Sequence, residues 1–211
     1  MSLKLDHPER VFINELRALG RGKLFVDVGS HVGWYTINLA DCYDEVWCFE
    51  PYRLYADGLR ENLKKFGITN VSVFEKAVGD RAGTSPFFGN EYALRGQDCP
   101  SLKQDLVLSY EGRSKRLPIQ LGTVETTTLT DILGNRTADL VKIDTEGNEK
   151  SILYGAKAVM NQVKAFHVEV HDWADMTDIR RVLKAYGFCV RERGLDGREK
   201  GWLIAVRAQS T

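Results

Sequence analysis

Two short segments of this 211-residue chain carry acids and a histidine at spacings that could do chemistry together. Asp144-Thr145-Glu146-Gly147 follows the apolar run 138–143, and Glu169-Val170-His171 closes the run 165–170. Residues two apart in a strand share a face, so Glu169 and His171 are expected to point the same way. If the two runs are neighbouring parallel strands, Asp144, Glu146, Glu169 and His171 gather at one sheet edge, where α/β sheets keep their ligand crevice. There His171 could take a proton from a hydroxyl nucleophile as general base, with Glu169 or Asp144 orienting it. Asp144, Glu169 and His171 could instead hold a divalent cation that lowers the pKa of the hydroxyl. A plainer arrangement is also open: Glu146 capping the helix near Asn148, Glu169 paired with Lys142, and His171 structural. His167, inside the run, reads as packed core, and Trp173 as either pocket wall or core closure.

A second constellation lies at 24–33, LFVDVGSHVG. An apolar run suited to a buried parallel strand is broken by Asp27 near its end, and glycines follow in the pattern D-x-G-x-x-x-G. Gly29 and Gly33 permit a tight turn and close approach of a ligand to the backbone. The segment after them can be a helix whose free N–H groups face the turn. The dinucleotide pattern G-x-G-x-x-G is absent: His31 stands at its second glycine and would crowd a pyrophosphate. Asp27 would repel a pyrophosphate but could pair with an ammonium group. Glu50 ends the next apolar run, 45–50, a place where doubly wound folds commonly bind two ribose hydroxyls. Phe49, Tyr52 and Val78 could contact an adenine, with backbone groups near Ala77 as hydrogen-bond partners. A two-glycine turn also occurs in α/β domains that bind nothing there, and Glu50 could simply cap the following helix.

The elements that would hold these groups follow from periodicity. Helices are expected at about 6–19 (Asp6 as cap; Val11, Phe12, Leu16 and Leu19 inward), 32–40, 53–66 (Leu59, Leu63 and Phe66 inward), 130–133, from Asn148 (Ile152, Leu153, Ala156, Val159 and Met160 inward) and 175–186. Strands are expected at 24–28, 45–50, 70–77, 84–88, 124–129, 138–143, 165–170, 188–193 and 202–207, the last two joined around Asp196-Gly197. That alternation, ending in an antiparallel hairpin, predicts one α/β sandwich with a mostly parallel sheet. A single domain is expected over 1–211, with an N-terminal helix in 1–20 and a lid or specificity insertion at 84–123. Segment 89–120 has weak periodicity, and its basic run 113–116 (RSKR) suits a solvated loop or contact with an acidic substrate.

Basic and acidic residues number 29 each, which argues against a scaffold held on nucleic acid by general electrostatics. Cys42, Cys48, Cys99 and Cys189 form no CxxC pair or zinc spacing; Cys42, Cys48 and Cys189 read as buried thiols, favouring a reducing, cytoplasmic home. No stretch has the length of a signal core or a membrane span.

The chain resembles the FkbM family of S-adenosylmethionine-dependent methyltransferases. The resemblance rests on FVDVGSHVGWYT at 25–36, CFEPY at 48–52, AVGDRAG at 77–83, TTLTDIL at 127–133, VKIDTEGNE at 141–149 and VEVH at 168–171. It implies a Rossmann-like, seven-stranded class I methyltransferase sandwich that O-methylates a hydroxyl on a sugar-bearing or other small molecule, leaving S-adenosylhomocysteine. It implies that Asp27 and Gly29 help hold the methionine portion, that Glu50 binds the ribose, that Ala77 and Val78 flank the adenine, and that Asp144 stands beside the transferred methyl. Ser30, His31, Gly33, Pro51 and Tyr52 complete the expected cofactor site. His31 and the long segment 89–120 depart from the family pattern. Methylation of RNA or a protein remains an alternative, as does a non-catalytic binding or scaffold domain; a nicotinamide oxidoreductase is opposed by His31 and the hairpin.

Overall fold

In Leu24–Val28 every residue is buried, as expected of a strand covered on both faces. The computed structural model describes residues 9–96, 98–104, 118–194 and 201–208. In chain order its elements are α1 (Arg10–Arg17), β1 (Gly22–Val28), α2 (Trp34–Leu39), β2 (Tyr43–Phe49), α3 (Arg53–Phe66), β3 (Val71–Phe74), β4 (Ala77–Gly79), β5 (Gly83–Gly89), β6 (Ile119–Thr128), α4 (Leu129–Leu133), β7 (Leu140–Ile143), α5 (Glu149–Gly155), β8 (Ala165–Val170), α6 (Trp173–Ala185), β9 (Phe188–Gly194) and β10 (Gly201–Arg207). The seven-stranded sheet has the order β3-β2-β1-β7-β8-β10-β9. Pairing is parallel from β3 to β8, and β10 runs antiparallel to both β8 and β9. This is the expected mostly parallel sheet with a reversed C-terminal hairpin.

Alternation along the strands divides the core into two layers. Leu24, Val26, Val28, Val141, Ile143, Val168 and Val170 pack with Leu129, Leu133, Ile152, Leu153, Met176, Ile179 and Leu183 from α4, α5 and α6. Phe25, Val46, Cys48, Leu140, Trp202 and Ile204 face the other way, onto Phe12 and Leu16 of α1, Tyr35 and Leu39 of α2, and Leu59 and Leu63 of α3. The N-terminal helix thus lies on the sheet face, where Phe12 stacks on Trp202. Its inward residues are Phe12, Ile13 and Leu16; Val11 and Leu19, expected inside, are exposed, as is Phe66 of α3.

The structure corrects the third strand. Segment 70–77 does not continue as one strand: β3 ends at Phe74, and β4 leaves for a second sheet of order β4-β6-β5. β3 is a half-exposed edge, whereas Ala77, Val78 and Gly79 are all buried. Asn148 ties β4 down by donating to the Val78 carbonyl at 2.8 Å. The two ends of the expected insertion are therefore paired strands, β5 running antiparallel to β6. Cys189, expected buried, is exposed, because β9 is the outer edge of the main sheet. Asp6, the basic run 113–116 and Asp196-Gly197 lie outside the described residues. No helix among the described residues is long and apolar enough to cross a membrane.

Candidate active site

Strand parity lays a buried polar row across the sheet face covered by α1, α2 and α3. The register places Cys48 beside Asp27, Asp27 beside Lys142, and Lys142 beside His167. Asp27 Oδ2 accepts from the Thr36 hydroxyl of α2 at 2.6 Å. Lys142 Nζ lies 3.3 Å from Asp27 Oδ1 and 3.2 Å from Asp144 Oδ2, and donates to the Gly29 carbonyl at 2.6 Å. Burial opposes the Lys142 charge, but Asp144 and Asp27 outweigh it and its pKa is raised. His167 Nε2 meets the Tyr35 hydroxyl at 3.0 Å, and burial, helped by Lys142, lowers its pKa to about 3. His167 is therefore a neutral core histidine, as expected.

The glycine turn is built for contacts within the chain. A Cβ on Gly29, at φ 75°, would sit 1.7 Å from the Asp144 carbonyl, and one on Gly33 would meet Leu59 Cδ1 at 2.4 Å. These glycines let β1 approach the end of β7, and α2 approach α3, which local sequence reading had assigned to ligand approach. His31 occupies the left-handed region at φ 49°. Its N–H donates to Glu50 Oε2 at 2.9 Å, and the Tyr52 N–H donates to Glu50 Oε1 at 2.9 Å. Burial pushes the Glu50 carboxyl up to about 7 against the pull of these two donors. Burial also lowers the pKa of the His31 imidazole, whose ring packs on Tyr55 with centroids 3.9 Å apart.

Over the C-terminal ends of β1, β2, β7 and β8 lies a cavity of about 270 Å³. Of the residues expected at the site, Gly29, Ser30, His31, Glu50, Pro51, Ala77, Val78, Asp144 and Glu169 line it. Asp27, Gly33, Tyr52 and His171 do not line it. Asp27 is turned under the sheet toward Thr36 and Lys142, and the Tyr52 hydroxyl donates to the Ala93 carbonyl at 3.2 Å. Tyr55 takes the wall position expected for Tyr52, and Cys99–Leu102 from the insertion form a further wall. Segment 89–120 held no periodic signal that could have found that wall. Trp173 is 54% exposed at the start of α6, packed neither in the core nor in the cavity wall.

At the other end of the cavity stand Asp144, Glu146 and Glu169, with His171 behind them. His171 Nε2 is 3.2 Å from Glu146 Oε2, 3.6 Å from Glu169 Oε1 and 3.7 Å from Asp144 Oδ1. Its Nδ1 meets Glu149 Oε1 at 2.9 Å. The same Glu149 oxygen accepts from the N–H groups of Gly147 at 2.8 Å and Thr145 at 3.1 Å, closing the turn after β7. Glu146 does not cap α5; its positive φ of 53° and that of Gly147 bend it back toward His171. Glu169 does not take Lys142 as the plainer reading had it, since Lys142 is committed to Asp27 and Asp144. Glu149 is the orienting acid that sequence reasoning missed; its place in D-T-E-G-N-E was visible, its distance from His171 was not. Burial disfavours a charged His171, but Glu146 and Glu149 carry its pKa well above the ordinary histidine value. His171, expected as the general base, lies behind these carboxylates and does not line the cavity wall.

The sequence profile of the methyltransferase FkbM domain matches residues 27–190. No curated protein sequence matches the chain. Among solved structures, precorrin-6y C5,15-methyltransferase from Geobacter metallireducens is 14% identical, with a TM-score of 0.56 over 98% of this chain and 92% of that one. An rRNA methylase from Streptococcus thermophilus is 10% identical, with a TM-score of 0.56 over 98% and 99% of the two chains. Magnesium protoporphyrin IX methyltransferase from Synechocystis, solved with bound SAM, is 14% identical, with a TM-score of 0.52 over 94% and 76%. At these identities the likeness is one of fold.

Proposed function

Since the chain belongs to the FkbM methyltransferase family, we propose that it methylates a hydroxyl of a small-molecule or carbohydrate acceptor, with S-adenosylmethionine as donor. The observation that carries this reading is the two-sided character of one cavity. On the β2 side of β1 Glu50 lies beside the glycine turn, with Phe49, Ala77 and Val78 as apolar wall; on the other side, at the ends of β7 and β8, stand three carboxylates. The first side fits the donor: the Glu50 carboxylate, held by two backbone N–H groups, still has lone pairs for ribose hydroxyls, and the apolar wall suits an adenine. Gly29, Ser30 and His31 would flank the methionine portion, with Asp27 acting from below through Lys142.

When bound, the donor supplies a methyl group on a sulfonium; the C–S electron pair returns to sulfur as the acceptor oxygen forms its bond to carbon and sheds its proton. The chain must bring the hydroxyl into line with that methyl and receive the proton. In this reading Asp144, Glu146 and Glu169, which line the cavity, would receive it. Cys99–Leu102, on the described part of the expected insertion, would contribute to acceptor choice.

Calorimetric titration of the wild-type chain with S-adenosylhomocysteine and with NAD tests the reading. The expected result is binding of S-adenosylhomocysteine alone, weakened at least about tenfold (about 1.4 kcal/mol) by Glu50→Ala. Binding of neither ligand would overturn the methyltransferase reading in favour of a scaffold domain.

A further inference from the structure

We propose that Asp144, Glu169 and His171 hold a divalent cation at the acceptor end of the cavity. An acidic cluster alone would not carry this; the orientation of the histidine does. The His171 side chain is 2% exposed, and its Nδ1 is engaged by Glu149 Oε1 at 2.9 Å. Glu149 is in turn fixed by the Thr145 and Gly147 N–H groups. A carboxylate at Nδ1 keeps a proton there, so a cation bound at Nε2 would displace only the second proton of the imidazolium, the arrangement by which carboxylates orient metal-bound imidazoles. Nε2 is buried, makes no hydrogen bond of good geometry, and is turned toward the acids, with Glu146 Oε2 nearest at 3.2 Å.

The separations suit a shared ion. Donors bonded at about 2.0–2.2 Å span at most about 4.4 Å across a cation. The two histidine–carboxylate distances, 3.7 Å to Asp144 and 3.6 Å to Glu169, fall inside that span. All three donor atoms lie within 4.8 Å of one another, so the set closes with a small side-chain adjustment. Asp144 offers Oδ1 to this point while its Oδ2 stays with Lys142. Two carboxylates and one imidazole suit a divalent transition-metal ion that takes oxygen and nitrogen donors together, such as Mn²⁺. Asp144 and Glu169 face the cavity, so the ion would meet an entering hydroxyl and lower its pKa. That task rests on the methyltransferase reading; the binding itself does not.

The test is a Mn²⁺ titration of the chelator-treated full chain, with no donor or acceptor, followed by the electron paramagnetic resonance of the free ion. One Mn²⁺ per chain is expected. Asp144→Asn and Glu169→Gln should each weaken it at least about tenfold, and Glu149→Gln by about 10–100-fold, the loss typical of an outer partner of a metal-bound imidazole. These variants spare the His171 ring in the core, and circular dichroism reports that each is folded. An unchanged free-ion signal with wild type, or binding indifferent to Asp144→Asn and Glu169→Gln, overturns the site. S-adenosylhomocysteine calorimetry on wild type separates the two readings. Binding of Mn²⁺ without the nucleoside leaves the cation site standing and removes the methyltransferase function; the reverse result removes the cation.

Discussion

Lys142→Met removes the ammonium that stands between Asp27 and Asp144. Asp27 is fully buried, with its Oδ1 3.3 Å from Lys142 Nζ and Oδ2 on the Thr36 hydroxyl. At an effective dielectric of about 20, an ion pair at that distance gains about 5 kcal/mol before desolvation is subtracted. Removing one partner of a buried pair typically costs about 3–5 kcal/mol, because the other is left charged and uncompensated. For a chain of this length that lowers the melting temperature by roughly 6–20 °C. Asp27→Asn should cost less, since Lys142 keeps Asp144 and the Gly29 carbonyl. In the double variant the orphaned charge at Asp27 is gone, so the two changes should couple by about 2 kcal/mol or more. Urea denaturation followed by far-ultraviolet circular dichroism and tryptophan fluorescence measures all four corners, with coincident transitions checking two-state behaviour. A Lys142→Met protein within about 1 kcal/mol of wild type, or strictly additive singles, would refute the assignment of Lys142 as the charge that holds the row together.

Gly29→Ala should abolish folding or cost well over about 3 kcal/mol, because its Cβ would fall 1.7 Å from the Asp144 carbonyl. Gly67→Ala, at φ 65° with open space around it, should cost only about 1–2 kcal/mol in the same denaturation assay. The Glu50 pKa of about 7 lies above its ordinary 4.5, so the folded state keeps a proton that the unfolded state has lost between those values. Stability should therefore fall as pH rises through that window. Glu50→Gln should flatten the fall, and a titration of wild type that shows no such slope would count against a buried Glu50. Because an ionised Glu50 is the better acceptor for ribose hydroxyls, S-adenosylhomocysteine should bind more tightly as pH passes about 7, and calorimetry on Glu50→Gln should lose that trend. Thr36→Val removes the hydroxyl on Asp27 and should cost about 1.5–3 kcal/mol by urea denaturation.

Hydrophobic pattern by itself determined the framework. The apolar run at 24–28 suited a buried parallel strand, those at 45–50 and 165–170 read as strands, and β8 has the bounds read from sequence. Asp144 follows the run 138–143 and Glu169 lies near the end of 165–170, so their arrival at one sheet edge was already legible from the parallel order. Partner choice was decided only by tertiary structure. Asp27 looked like a ligand for an incoming ammonium and is instead opposite Lys142, because parallel register sets them side by side on the buried face. Gly29 looked like a ligand turn and is required by a carbonyl from a strand more than a hundred residues away. His171 looked like a base, yet the bend at Glu146-Gly147 and the reach of Glu149 surround it with acids. Segment 70–77 looked like one strand and splits, since β4 finds a partner in β6 that the main sheet edge does not offer. Periodicity reports which face a side chain takes, a property of its own strand; which group it meets there depends on the register of a second strand, and no local pattern encodes that.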